Sequence, residues 1–95
     1  MSTEEMREGD ELRGRIAFGL DVQQFMGSNI GRYLQARANA DIEEALEALK
    51  TADPEDPKAI RKLQNDVKVA SSVLEWLGQA VTEGEQAERQ FHELG

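Results

Sequence analysis

The chain is 95 residues long, with 19 acidic against 11 basic side chains, a formal charge of -8, one His and no Cys. A chain of this length makes one domain and buries roughly 60–65 % of the surface its unfolded form exposes, which argues against an enclosed catalytic cleft. The lack of cysteine excludes a disulfide framework and a thiolate zinc site. The acidic balance weighs against binding a phosphate backbone or an anionic lipid surface, and no run approaches the ~18 apolar residues of a membrane span.

Ala, Glu, Lys, Leu and Arg supply 44 of the 95 residues, a share that favours long helices. Residues 1–10 carry Glu4, Glu5, Glu8 and Asp10 with few apolar anchors and read as a flexible acidic arm, with 11–95 as a single helical domain. The same opening is acidic where a secretory signal would be basic and then apolar, so the chain reads as cytosolic. A short first helix is expected over about 11–26, where Leu12, Ile16 and Leu20, then Phe18, Val22, Phe25 and Met26, recur at three and four. Gly14 and Gly19 weaken it by up to about 1 kcal/mol each, so tertiary contact must hold it. Gly27-Ser28-Asn29 interrupts the pattern and offers a cap to a second helix, about 29–51, with the stripe Ile30, Leu34, Ala38, Ile42, Ala45 or Leu46, and Leu49.

Asp53-Pro54-Glu55-Asp56-Pro57 stops that helix and starts the next, with Asp56 as cap and Pro57 at the first helical position. The third helix, about 57–90, carries the clearest signal: Ile60, Leu63, Val67, Ala70, Leu74, Leu77, Val81 and Gly84 alternate three and four steps as a heptad seam. Beyond Gly84 the seam slips to Ala87, Phe91 and Leu94 among dense glutamates, and the helix is expected to fray or bend. The expected fold is all-α: an antiparallel helical hairpin of 29–51 and 57–90 with a shorter N-terminal helix, as a three-helix arrangement or an oligomeric bundle. The third helix outruns the second, so its C-terminal part needs cover from the first helix or another subunit. A second stripe, Val69, Val73, Trp76 and Ala80, widens its apolar face, and these with Phe91 are the candidate interface residues.

Catalytic chemistry finds no foothold. His92 with Glu88 one turn earlier is a weak two-ligand pair at a chain end, and paired carboxylates such as Glu43 with Glu47 have no His, Ser or Lys constellation beside them. The glycines form no phosphate cradle. No catalytic, cofactor-binding or metal-binding residue is assigned, and no small-molecule substrate. Lys58, Arg61, Lys62 and Lys68 make a local basic cluster, expected to pair with Asp53, Glu55 and Asp56 or with the acidic face Asp41, Glu43, Glu44 and Glu47, within the chain or between subunits, rather than with nucleic acid.

Phe25, Ile30-Gly31-Arg32-Tyr33-Leu34, the Asp-Pro turn, Ile60-Arg61-x-Leu63-Gln64 and Trp76-Leu77 together resemble short acidic helical proteins encoded by tailed bacteriophages and prophages, over roughly residues 25–90. The resemblance rests on packing and turn residues and transfers no functional residue. It implies a phage gene product from the morphogenesis region or an accessory locus, in the host cytoplasm during assembly or in the virion. The resulting expectation is a non-enzymatic structural or assembly protein that packs on itself as a homo-oligomer or on a phage structural protein. The alternatives are an acidic inhibitor or decoy of a basic host protein and a small DNA-packaging subunit.

Overall fold

The computed structural model describes residues 2–95 and is helical throughout: α1 Thr3–Gly27, α2 Asn29–Lys50 and α3 Pro57–Leu94, with no strand among the described residues. By internal contacts the chain divides into two compact units. One holds α1 with α3 from Leu77 onward; the other, Asn29–Trp76, holds α2 with the first part of α3.

α1 corrects the expected helix start at 11. Met1 of the expected arm lies outside the described residues, but from Thr3 onward the arm is the first two turns of α1. The cause is a capping box. Ser2 is extended, its hydroxyl accepts from the Glu5 backbone N–H at 3.2 Å, and the Glu5 carboxylate accepts from the Ser2 N–H at 3.3 Å. Two otherwise orphaned donors are thereby satisfied, and Glu4 and Glu5 sit at the positive end of the helix dipole.

In the first unit α1 buries Gly9, Leu12, Gly19 and Val22, with Ile16 and Met26 half-buried on the same stripe. α3 answers with Leu77, Val81, Gly84, Ala87 and Phe91. Gly9 lies against Phe91 and Gly19 against Gly84, so the helices run in opposite directions. At the second contact a Cβ built on Gly19 would stand 3.0 Å from the Gly84 Cα and 3.1 Å from the Ala80 carbonyl oxygen. The reciprocal Cβ on Gly84 would meet the Gly19 Cα and the Arg15 carbonyl at the same distances. Two backbones touch here with no side chain between them, which is why glycine, the poorest helix former after proline, is used on both sides.

That contact corrects the expected seam of α1. Phe18 and Leu20, placed on it by hydropathy, are 60 % and 58 % exposed, because the buried stripe passes through Gly19 between them; Phe25 is also exposed. The expected fraying beyond Gly84 does not occur either. Ala87 is 1 % exposed and Phe91 half-buried, continuing the stripe that α1 covers, and α3 runs on to Leu94. The Arg13 guanidinium sits 5.2 Å from the Phe91 ring centroid, a cation–π contact at the rim of this seam.

In the second unit the heptad seam of α3 lies as expected, with Ile60, Leu63, Val67, Ala70 and Leu74 half-buried. α2 presents Gly31, Gln35, Ala38, Ile42, Ala45 and Leu49 at alternating four and three. Ile30 and Leu34, which hydropathy placed on this stripe, are exposed, since the stripe there runs one position later, through Gly31 and Gln35; of the alternatives Ala45 and Leu46, Ala45 is the buried one. The connection 51–56 behaves as its sequence dictates. The Asp53 carboxylate accepts from the Glu55 N–H at 2.9 Å, the Asp53 carbonyl from the Asp56 N–H at 2.9 Å, and the Asp56 carboxylate caps α3 by accepting from the Ala59 N–H at 3.2 Å, with Pro57 opening the helix.

Candidate interaction surface

The candidate interface residues separate into two groups. Val69 and Trp76 are 59 % and 67 % exposed and Val73 is exposed as well, so the second apolar stripe of α3 is uncovered through Trp76. Ala80 and Phe91 belong to the first unit and face α1 there.

Val69 and Val73 are also part of a groove of about 630 Å³ between α2 and α3 within the second unit. Its floor is built of small side chains, Ala38, Ala45, Ala48 and Ala70, and this is why it is a groove: two helices packed through alanine leave a furrow along the line where their larger residues diverge. Leu34 closes one end from α2. Ile30 and Tyr33, four residues before Leu34 and Arg37, lie on the same side of α2, and Trp76, three and seven residues after Val73 and Val69, on the same side of α3. Tyr33 is exposed like the rest. Hydropathy had assigned Ile30 and Leu34 to the internal seam; their spacing with Tyr33 was the available sign that they form a second face.

The groove walls carry Arg37, Asp41 and Glu44 on α2 and Lys62 and Asp66 on α3. Arg37 pairs with Asp41 at 3.2 Å and Lys62 with Asp66 at 3.4 Å. The hydrogen bond that Arg37 donates to Asp41, then its interaction with the Tyr33 oxygen, pushes the Arg37 pKa above its already high ordinary value. The expected pairing of the basic cluster with the turn or the acidic face of α2 is not what forms. Among the described residues every ion pair lies within one helix, also Asp10–Arg13, Glu47–Lys50 and Glu88–His92, and Lys58, Arg61 and Lys68 carry none. The reason is geometric: neighbours three and four apart on a helix are within reach at little entropic cost, whereas a cross-helix pair must span the groove.

Charge is distributed unevenly between the units. Residues 29–76 carry seven basic and nine acidic side chains, a net -2, whereas residues 1–28 with 77–95 carry four and ten, a net -6. Among the described residues no three His, Cys, Asp or Glu side chains gather as a metal site, and no helix is long and apolar enough to cross a membrane. Compared with protein-family models, with curated proteins and with solved structures, the chain matches none.

Proposed function

We propose that the chain is a non-enzymatic structural or assembly protein that acts by helix–helix packing, on copies of itself or on a component of a larger particle. One observation carries this reading: the apolar residues are on the wrong side for a chain that works alone. Among the described residues five apolar ones are buried, three of them alanines, while twelve large ones, Trp76, Tyr33 and Phe18 among them, are exposed. The resemblance to short phage-encoded helical proteins agrees with such a part, and suggests a virion or assembly component as the setting.

Stability measured against concentration tests this reading. Thermal melts followed by circular dichroism from ~1 to ~100 μM are expected to shift upward with concentration, because association that is coupled to folding stabilises by mass action. A sharp, concentration-independent melt of a monomer would refute packing on copies of itself and leave packing on a different component.

A further inference from the structure

We propose that the α2–α3 groove is filled by the same groove face of a second copy, with α2 lying antiparallel on α2 of that copy. The inference rests on the helix-packing function above and names its partner. Ile30, Tyr33 and Leu34 on α2 and Val69, Val73 and Trp76 on α3 form one uncovered apolar face along a groove floored by alanine. With only five apolar residues buried among the described ones, this face is left to be covered, and a second copy is the occupant that the face itself specifies.

Charge selects the same unit. Two first units would bring -6 against -6, two second units only -2 against -2, so self-association is least opposed through the groove face.

The groove face is also complementary to itself under a two-fold rotation. Its large side chains gather at the N-terminal end of α2 and its small ones toward the C-terminal end, as a face that meets its own copy head to tail requires. If Tyr33 of one copy rests on Ala48 of the other, the axis passes between Ala40 and Asp41. The same axis sets Arg37, two turns before Glu44 on the same wall, opposite Glu44 of the second copy, twice per dimer. Among the described residues Glu44 has no ion pair within its own chain. Arg37 keeps Asp41 and still has guanidinium donors to offer.

Sedimentation velocity on the full chain tests the proposal through one charge swap and one apolar variant. The wild type is expected to sediment as a dimer. Arg37→Glu puts like charges opposite each other at two places and should weaken dimerisation about tenfold or more, and the double variant Arg37→Glu/Glu44→Arg should recover most of that loss. Glu44→Arg alone should weaken dimerisation to a similar extent, and because an arginine at position 44 can also pair with Asp41 within its own helix, recovery beyond the sum of the two single variants is what reports the contact between copies. Val73→Asp should abolish the dimer, and emission from Trp76, the one tryptophan, should shift to the blue with concentration in the wild type but not in this variant. An assembly with a stoichiometry other than two, or one insensitive to Val73→Asp, overturns the groove as the contact and leaves helix packing as the function. A dimer lost with Arg37→Glu and not recovered by the swap overturns the antiparallel register. A folded monomer with concentration-independent melting overturns both this inference and the self-packing form of the function on which it rests.

Discussion

Alanine at Gly19 should lower stability, whereas the same substitution at Gly14 should raise it. In a helix interior, glycine to alanine contributes up to about 1 kcal/mol through reduced backbone freedom in the unfolded chain. At Gly14 and Gly78 nothing lies within 4 Å of the added Cβ, so that gain is expected in full. At Gly19 the Cβ would lie 3.0 Å from the Gly84 Cα and 3.1 Å from the Ala80 oxygen, where carbon contacts ordinarily settle at about 3.5–4.0 Å. α1 and α3 must then part by roughly half an ångström or more along the crossing, and overpacking of that kind costs about 1–3 kcal/mol. The net effect at Gly19 is a loss of up to about 2 kcal/mol, and the two sites should differ by about 2 kcal/mol. For a domain of this size 1 kcal/mol moves Tm by about 4–8 °C, so the melting temperatures should separate by roughly 10 °C. Circular dichroism melts of Gly14→Ala, Gly78→Ala, Gly19→Ala and Gly84→Ala, all at one concentration, decide it. Should Gly19→Ala melt as high as Gly14→Ala, the backbone contact does not exist in solution and the account of the α1 seam is wrong.

Ser2→Ala removes half the capping box and should cost about 1 kcal/mol, with loss of amide protection confined to the first turns of α1. Asp56→Ala should cost a similar amount at the start of α3, read as a lower denaturation midpoint with an unchanged slope, and Asn at the same position should retain most of the stability. A double-mutant cycle of Arg13→Ala with Phe91→Leu should return a coupling of about 0.5–1 kcal/mol for the cation–π contact, and a coupling of zero would place the guanidinium away from the ring.

The parts of the fold that hydropathy and turn chemistry encode were readable in advance. The α3 seam repeats without a gap from Ile60 to Leu77, and the Asp56-Pro57 start is a local signal whose partners lie within three residues. The α1 seam was readable only in part: Leu12, Ile16, Val22 and Met26 stand on it as their spacing indicates, but Gly9 and Gly19 score as blanks in any apolar pattern. What makes Gly19 a seam residue is the absence of a side chain opposite Gly84, a relation between positions 65 residues apart that neither position announces alone. The Ser2–Glu5 box was legible as Ser-Thr-Glu-Glu, but the density of carboxylates around it argued for an unstructured arm. On the candidate surface, Val69, Val73 and Trp76 were readable as surplus to one neighbouring helix. Ile30 and Leu34 were absorbed into the internal stripe, with Tyr33 on its shoulder, since a helix with apolar residues on two adjacent faces gives period alone no way to choose between them.

The scarcity of fully buried side chains, with alanine where a larger domain would place leucine, also fixes how the protein answers heat and denaturant. Heat capacity on unfolding follows the apolar surface that becomes newly hydrated, and a chain of 95 residues with an ordinary interior would show about 1.1–1.4 kcal/mol/K. Alone, this one has less apolar surface left to hydrate than such a chain. Its stability curve is expected to be flatter across temperature and its urea slope shallower, and both should steepen in the proposed dimer, where hydrocarbon now in contact with water would be withdrawn from it.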